Sequence, residues 1–600
     1  MGACTDVLPA TGGGNAGLVA AGLVAVALAL ALGWLGRRRC GPVLVVALSV
    51  CSLTAITAVP ARAEPCSSDA SSATGTPAAP IPATYLVGAA VESIDPTPAM
   101  IDGGSFFLGG YGIGSGEVAG VPVLPGRRAT GVLDGVNVRA LAVGAGEQSL
   151  VLAQIDTQGV FAAYKRGPYG EEDMRRDAAA EIARRVAASP GRPALPAGAI
   201  LVDSNHTHGG PDTVGVWGGV PDEYLQLVHD RTVLAIVEAW DAMRPATLWY
   251  GTAKGGVEQA GDAQPLISNQ FGNDPANEVA DDELRLLQAR DATTGETLVT
   301  YLNFSAHATV LGSDNTLISA DYTGPLSRKL GTLGGIGFQQ VGTLGRTQPA
   351  RSGCPDESLS GAAGDLCALD AYAGRVFDRA LVALADAKPL VGAAVVSMHS
   401  YLVVDPATNA LIFGADTGGF LAGVPILRQN LPPWATGNII STVSYSGRIG
   451  DLLISGSPGE PYPQIPLAVR DAVPGQLGYL SIGTAGDFLG YLIAPLSAYP
   501  EPIRRTILDG GPVPNDSVCS GIPSPIGCPS PIDNDTFAFN PSLTLGERII
   551  CSLLRGAGET LGVGPDVYPA TRPMCVAFAA DRLLPADADT TLPTGPYVTL

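Results

Sequence analysis

The chain has 600 residues, of which 46% are apolar, and a formal net charge of −21. This length is enough for two or more folded domains, and the apolar content argues against an acidic disordered chain. The acidic charge argues against nucleic-acid binding, which needs clustered Lys and Arg. Residues 1–63 hold four arginines and one aspartate, so the remaining residues carry a net charge of −24.

Two apolar runs stand at the start of the chain. The first, Gly17–Leu35, is followed by three consecutive arginines, and the second, Val43–Val59, ends in Ala61-Arg62-Ala63. The second run has the form of a secretory signal with a small-x-small cleavage site. We therefore predict cleavage after Ala63 and export of the remainder.

The first apolar run is preceded by LPATGGG at residues 8–14. This order of motif, apolar run and arginines resembles a sortase cell-wall sorting signal, which belongs at a C-terminus and at this end cannot anchor the domain beyond it. Two alternatives explain it. Either the true start lies further along the chain, which we favour, or residues 1–63 form a two-helix membrane hairpin with the arginines inside. Both alternatives predict a secreted or cell-envelope protein.

Seven cysteines lie beyond residue 63, and their presence fits an oxidising compartment. Their local spacing predicts the disulfides Cys354–Cys367, Cys519–Cys528 and Cys551–Cys575, which leaves Cys66 unpaired. No pair has the spacing of a zinc ribbon, so disulfides are the expected use.

Residues 64–84 are a linker rich in small residues, and strand-like and helix-like segments alternate beyond it. The predicted strands are 136–143, 150–155, 199–202, 247–251, 298–304 and 394–403, and the predicted helices are 171–188, 222–243 and 369–387. This alternation predicts an α/β fold with a mixed sheet over residues 85–500. Residues 501–600, rich in Pro and Cys, are predicted to form a disulfide-pinned extension.

Residues 203–215 read DSNHTHGGPDTVG and place two of the five histidines one residue apart. Two-residue spacing puts the imidazoles of His206 and His208 on the same side of an extended segment. Predicted strands run into this loop and into His307, and ligands in α/β folds gather beyond the carboxyl ends of strands. We expect these loops to converge on a metal, the alternative being an ordinary surface loop.

Six segments, in their order and spacing, resemble the catalytic domain of the neutral/alkaline (non-lysosomal) ceramidases. They are YLVGAAVESIDPT at 85–97, VRALAV at 138–143, NHTHGGPDT at 205–213, NFSAHATVLGSDNTLISADYTG at 303–324, GSPGEPYP at 456–463 and GTAGDFLGYLIAP at 483–495. The resemblance implies a zinc amidase that splits N-acylsphingosine into a fatty acid and a sphingoid base. It further implies a zinc held by two His, one Glu and one Tyr, with a Ser beside it, and an amphipathic N-acyl amide as substrate.

Carried onto this sequence, the resemblance implies His208 as a metal ligand with His206 beside it, together with Glu460 and Tyr491. A second register puts Phe488 at the tyrosine position, where it cannot bind a metal. Three protein ligands and an open position for water suit a catalytic zinc. We therefore expect one zinc site.

Two positions depart from the family pattern. Leu133 stands where the first family histidine is expected, and its neighbour Asp134 can replace it only in a loop, since adjacent strand residues face opposite ways. Gln348 stands at the family serine, where it can donate a hydrogen bond to an oxyanion but cannot be a nucleophile. We therefore expect attack by metal-activated water, with His307 as the base and Gln348 and Tyr491 as further catalytic candidates.

Structural roles remain open for three of these residues. Glu460 can cap a helix expected to begin near Pro461, His307 can be a hydrogen-bonded core histidine, and Tyr491 can serve packing. The leading hypothesis is an exported, ceramidase-like, zinc-dependent hydrolase. The alternatives are a catalytically inactive secreted or cell-envelope binding protein and a metal-dependent hydrolase with another substrate, since fold does not fix function.

Overall fold

The computed structural model describes residues 81–111, 117–118, 121–122, 126–269, 279–345, 347–407, 439–495, 540–581 and 583. Contacts group Ala78–Leu600 into one compact unit. The leader, Cys66 and the predicted Cys519–Cys528 disulfide lie outside the described residues.

The strands and helices succeed one another along the whole described chain. The strands are β1 Thr84–Ser93, β2 Phe107–Leu108, β3 Glu117–Val118, β4 Val121–Pro122, β5 Arg127–Arg128, β6 Gly131–Gly135, β7 Asn137–Ala145, β8 Gln148–Ile155, β9 Ile200–Ser204, β10 Arg244–Lys254, β11 Ile267–Asn269, β12 Glu283–Asp291, β13 Thr297–Phe304, β14 Leu317–Ser319, β15 Ile336–Val341, β16 Thr347–Pro349, β17 Lys388–Pro389, β18 Val396–Pro406, β19 Ile439–Ile449, β20 Leu452–Gly456, β21 Glu460–Pro461, β22 Gly478–Ile482 and β23 Tyr491–Leu492. The α-helices are α1 Pro98–Asp102, α2 Glu171–Ala188, α3 Asp222–Asp241, α4 Thr323–Gly331, α5 Gly361–Ala385, α6 Gln464–Ala472, α7 Leu545–Thr560 and α8 Pro573–Asp581.

A large mixed sheet forms the centre of the fold, which confirms the predicted α/β class. Its strand order is β15-β13-β12-β10-β1-β7-β8-β9, with β17 paired to β10. The pairs β8–β9 and β13–β15 are parallel, and the other neighbours in this order are antiparallel. The central strands are almost continuously apolar and buried because both faces of the sheet are covered.

Helices and a second sheet provide that cover. Helix α3 packs on β1 and β7, α2 packs on α3, and α5 packs on β10 and β12. The second sheet, β18-β19-β20-β22, contributes Tyr445 and Ile454 to the same hydrophobic core as Leu152 of β8 and Val202 of β9. The second sheet therefore packs against the large sheet beside its β8–β9 edge.

The predicted elements are all present, with shifted ends. The helix over residues 171–188 has the predicted bounds, with three acidic residues in its first turn. Helix α5 begins at Gly361, before the predicted residue 369. The prediction missed its first turns because they are largely exposed and lack the apolar periodicity that marks a helix. The strands β19, β20 and β22 were not predicted.

Beyond the gap at residues 496–539, the chain contributes to the core. The amphipathic helix α7 packs on β18 and β19, with its buried Leu545, Ile549 and Leu553 in a third apolar core. The predicted disulfides Cys354–Cys367 and Cys551–Cys575 are both present. None of the helices in the described part of the chain is long and apolar enough to cross a membrane.

Candidate metal centre

Four side chains from three distant segments meet in one buried cluster. His206 and His208 come directly after β9, His307 comes after β13, and Glu460 opens β21. The donor nitrogens of the three imidazoles lie within 4.8 Å of one another. We call His206, His208, His307 and Glu460 the histidine cluster.

His206 is held with its Nε2 turned toward the other members. Its Nδ1 lies 2.7 Å from the main-chain oxygen of Gln158, and its ring stacks on that of Phe488 at 5.4 Å between centroids. The Phe488 ring in turn needs a glycine at position 159, because a Cβ there would lie 2.7 Å from it. The Phe488 ring on one face and the hydrogen bond at Nδ1 therefore fix the orientation of the His206 imidazole.

His307 is held in the same way. It is fully buried, and its Nδ1 lies 3.0 Å from the main-chain oxygen of Thr347. A carbonyl oxygen only accepts hydrogen bonds, so Nδ1 carries the proton in both His307 and His206. In the neutral ring, Nε2 of each then presents a lone pair.

One carboxylate oxygen of Glu460 faces both of these lone pairs. Its Oε2 lies 3.0 Å from Nε2 of His307 and 3.4 Å from Nε2 of His206. The interpretation of Glu460 as a helix cap is wrong, because α6 starts only at Gln464 with Pro463 as its N-cap. Glu460 is 4% exposed, so its charge is not solvated by bulk water.

His208, the fourth member of the cluster, contacts His206. Its Nε2 lies 3.2 Å from Nε2 of His206, and its Nδ1 is buried with no hydrogen-bond partner within the described structure. Gly110 has φ +98° and lies so close that a Cβ would be 2.3 Å from the His208 ring. The backbone at residue 110 therefore closes over this imidazole.

The arrangement suits a cation better than it suits the bare side chains. Lone pairs that face a carboxylate repel it unless a proton or a metal lies between them. Burial lowers the pKa of His206 and lowers that of His208 further, where the charges of the neighbouring histidines add to the effect. Protonation of these two rings is therefore unfavourable.

The distances also match a zinc site. A tetrahedral zinc with arms of about 2.0–2.1 Å separates its ligand atoms by about 3.3 Å. Three of the separations here are 3.0, 3.2 and 3.4 Å, and the donor nitrogens of the three histidines all lie within 4.8 Å of one another. Main-chain carbonyls on Nδ1 of two rings are the partners that metal-bound histidines usually have. The residues could therefore hold a metal ion.

Backbone strain is concentrated around the cluster. His206 and Asp321 have φ 56° and Thr484 has φ 49°, in a region that non-glycine residues rarely adopt. The Thr484 hydroxyl donates to the oxygen of Ser204 at 2.7 Å, just before the histidine loop, and Asp321 accepts amides of Val310 and Leu311, just after His307. Such strain persists where surrounding contacts hold it, so these loops are firmly positioned.

Three residues named from the sequence lie beside the cluster. Tyr491 opens β23, and its backbone pairs with that of Glu460 in a parallel bridge. Phe488, the alternative in the second register, has its ring on His206. Gln348 lies in β16, next to the residue that holds His307, and its Oε1 accepts a hydrogen bond from Thr309 Oγ1 at 2.6 Å. That bond fixes the amide and leaves its N–H groups to donate elsewhere.

The residues at the position where the resemblance implied a further histidine do not join the cluster. Leu133 packs against the second apolar core. Asp134 lies in the strand β6, where it accepts hydrogen bonds from Ser319 Oγ at 2.7 Å and from Arg328 at 3.2 Å. The segment is not a loop and Asp134 is already engaged, so it does not replace the imidazole.

Sequence reasoning missed the carbonyl partners of the imidazoles. A main-chain oxygen has no sequence signature, so Gln158 and Thr347 could not be identified as these partners. The sequence predicted that the His307 loop meets the loop of His206 and His208, and Nε2 of His307 lies 3.0 Å from Oε2 of Glu460. The available signal was the position of His307 just after a strand, like that of His206.

Comparisons with known proteins agree with this architecture. Residues 5–41 match the LPXTG cell wall anchor motif, and no curated protein matches the chain. The structure is similar to that of neutral ceramidase from Pseudomonas aeruginosa, with a TM-score of 0.53, 15% identity, and coverage of 80% of this chain and 75% of that one. It is also similar to a ceramidase complexed with C2, with a TM-score of 0.52, 16% identity, and coverage of 80% and 76%. The protein thus has the fold of the neutral ceramidases and carries the motif of an exported, cell-envelope-associated protein.

Proposed function

We propose that this protein is an exported, zinc-dependent hydrolase that cleaves the amide bond of an N-acylated, lipid-like substrate. The observation that carries the proposal is the convergence of Nε2 of His206 and of His307 on one carboxylate oxygen of Glu460. The ceramidase-like fold supports amide hydrolysis as the reaction class. The anchor motif supports a substrate met outside the cytoplasm.

In this proposal His206, His208 and His307 hold the zinc, Glu460 is a further ligand on the side of His206 and His307, and the ion must keep one more position open for water. His307 supplies the imidazole that Leu133 cannot, and Tyr491 remains a further candidate ligand beside Glu460. Nitrogen-rich donor sets of this kind suit zinc, whereas magnesium and calcium prefer oxygen ligands. One ion per chain is expected.

The remaining residues then position the substrate. Zinc, when bound, polarises a carbonyl and lowers the pKa of a water to about 7. Gln348 has its oxygen occupied by Thr309, so its amide N–H can donate to the oxygen of the scissile carbonyl. Gln348 cannot be a nucleophile, which agrees with hydrolysis by water rather than through an acyl-enzyme.

The test is zinc content and amidase activity of secreted residues 64–600, purified without chelator. We expect about one zinc per chain, with hydrolysis of N-lauroylethanolamine. His208→Ala and Glu460→Ala should each lose the zinc and the activity, whereas His229→Ala should keep both. His229 is a matched control because it is also buried but contacts Asp177 and Asp230 instead of the cluster.

The outcomes separate the competing hypotheses. Equal zinc content in all four proteins would contradict the ligand assignment. An absence of zinc even after its addition would favour the catalytically inactive binding protein that the loss of the family histidine and serine suggests. Bound zinc without amide hydrolysis would favour a hydrolase with another substrate.

A further inference from the structure

The side chain of Asn205 closes a turn across the strained histidine of the cluster. His206 has φ 56°, in the left-handed region that non-glycine residues rarely adopt. Asn205 Oδ1 accepts a hydrogen bond from the main-chain N–H of Thr207 at 3.2 Å, so the turn spans His206. In such a turn His206 takes the place of the third residue of a β-turn, which has positive φ in type II turns. Asn205 is fully buried, and its own N–H is anchored to the oxygen of Ile155 in β8 at 3.0 Å.

The hydrogen-bond partners of Asn205 fix the orientation of its amide. The two ends of an amide are distinguished by such partners. Its Nδ2 lies 2.9 Å from Oδ1 of Asp156 and 2.8 Å from Oγ1 of Thr323. Asp156 forms an ion pair with Arg139 through its other oxygen at 2.8 Å, and a carboxylate only accepts hydrogen bonds. Thr323 donates its hydroxyl proton to a main-chain oxygen at 2.7 Å, so it too accepts from Asn205. These acceptors hold Nδ2 and turn Oδ1 toward Thr207.

The backbone conformation of His206 decides where its imidazole lies. Its Nδ1 lies 2.7 Å from the oxygen of Gln158, and its Nε2 lies 3.4 Å from Oε2 of Glu460. A side chain leaves the backbone in a different direction at positive φ than at negative φ. A left-handed backbone persists only where surrounding contacts hold it. Relaxation of His206 to negative φ would therefore move its ring away from both partners.

We infer that Asn205 is a positioning residue of the metal centre, which holds His206 in the left-handed conformation that directs its Nε2 toward the ion. The inference rests on the proposed function, in which His206 is a ligand. The competing explanation is that Asn205 only satisfies buried polar groups of the fold. In that case its loss lowers stability and has no separate effect on metal binding.

The test measures the dissociation constant of zinc and the midpoint of urea unfolding. Asn205→Ala removes every contact of the amide, and we expect the zinc dissociation constant to rise about tenfold. Asn205→Ser loses the other contacts of the amide but keeps an oxygen that can accept from the Thr207 N–H, more weakly than an amide does. Both variants should therefore have a similarly lowered urea midpoint, whereas Asn205→Ser should raise the zinc dissociation constant only about threefold.

Gln288→Ala is the matched control for the loss of a buried amide. Gln288 is 3% exposed in β12, where it donates to Thr300 Oγ1 at 3.1 Å and accepts from Arg290 at 2.8 Å. None of these contacts involves the histidine cluster. Gln288→Ala should therefore lower the urea midpoint and leave the zinc dissociation constant unchanged.

Three results would overturn the inference. They are an unchanged zinc dissociation constant in Asn205→Ala, an equal rise in Gln288→Ala, and a rise in Asn205→Ser as large as that in Asn205→Ala. If Asn205→Ala does not fold, the serine variant decides. A rise of about threefold in Asn205→Ser against none in Gln288→Ala then supports the inference, and an unchanged constant overturns it.

Failure of the inference is distinguishable from failure of the proposed function. A protein that binds zinc without hydrolysing amides still tests the inference, since hydrolysis is not the readout. If the unchanged protein binds no zinc, the proposed function fails, and nitrogen NMR of isotopically labelled histidines decides the inference. The Gln158 carbonyl keeps the proton of His206 on Nδ1. Asn205→Ala should give a mixture of tautomers for this ring and Gln288→Ala should not, whereas a single tautomer in Asn205→Ala would overturn the inference.

Discussion

Two buried polar clusters lie at the end of β13. In one, buried charged groups pair with each other, whereas in the other, buried hydrogen-bond acceptors face each other. In one, Arg285 donates to both oxygens of Asp281 at 2.6 and 3.0 Å, and Ser305 donates to the same carboxylate at 3.1 Å. In the other, two residues further along the chain, His307 presents its Nε2 to Glu460. We call Arg285, Asp281 and Ser305 the arginine cluster.

The difference is one of donors and acceptors. In the arginine cluster, burial alone would raise the pKa of Asp281, but Arg285 outweighs it and holds that pKa below its usual value. In the histidine cluster, lone pairs of His206 and His307 face a carboxylate, and Nδ1 of His208 has no partner in the described structure. Buried polar groups that satisfy one another stabilise a fold, whereas buried acceptors that converge need a cation.

The largest expected effect is on the arginine cluster. Asp281→Ala should lower the free energy of unfolding by about 3–5 kcal/mol, because the buried Arg285 loses the carboxylate that binds both of its terminal nitrogens and keeps only Glu283, 3.1 Å from its Nε. Zinc should not change this loss, which urea unfolding with and without the metal measures. The pKa of folded Asp281 is depressed, so its stabilisation is present above its ordinary value of 3.8 and is lost as pH falls through the folded value.

A neighbouring residue gives the control for that prediction. Asp282→Ala removes an ion pair with the exposed Lys254 and should cost about 1 kcal/mol or less. Equal losses from Asp281→Ala and Asp282→Ala would show that the arginine cluster does not stabilise the fold through its buried ion pair.

The next effect belongs to the histidine cluster. Zinc at 100 to 1,000 times its dissociation constant should stabilise the unchanged protein by about 3–4 kcal/mol and Glu460→Gln by much less. Without metal, Glu460→Gln should be about 1 kcal/mol more stable than the unchanged protein, because an amide N–H can donate to the imidazole lone pairs. Urea unfolding in EDTA and in zinc measures both quantities. If the metal-free Glu460→Gln protein were strongly destabilised, the Glu460 carboxylate would stabilise the fold without a metal, as Asp281 does. The proposed difference between the two clusters would then be wrong.

The smallest expected effect concerns the support of His206. Phe488→Leu removes an aromatic ring stacked on the imidazole and should cost about 1 kcal/mol of stability, with a modest loss of zinc affinity. Thermal unfolding and zinc titration measure the two. A stability loss as large as that of Asp281→Ala would mean that Phe488 serves the core rather than the orientation of the metal-binding ring.

Much of the fold was predictable because its elements have strong local patterns. The α2 helix has acids in its first turn and ends at its predicted residue, and the apolar strands β7 and β8 are recognisable by composition. Strands of the second sheet, such as β20 and β22, were missed. They are short apolar runs, and at that length periodicity does not separate strand from helix.

The expectation that the histidine loops meet is confirmed, but its stated reason was wrong. From the pairings, β9 and β13 run in opposite directions in the sheet and lie near opposite ends of the strand order, so they share no carboxyl edge. Gln340 of the edge strand β15 donates to Asp203 of the edge strand β9 at 2.6 Å, which brings the two ends of the order together. Contact between the two edge strands, rather than a shared carboxyl edge, therefore accompanies the meeting of the histidine loops.

The sequence by itself determined the α/β class, two disulfides, the anchor motif and the close spacing of His206 and His208, because each follows from a pattern of residues that are near one another in the chain. Only the tertiary structure decided which groups face one another. Glu460 contacts His307 across 153 residues, and the carbonyl of Gln158 sets the tautomer of His206. Such contacts depend on how strands curve and on main-chain oxygens that every residue has, so no local pattern can encode them.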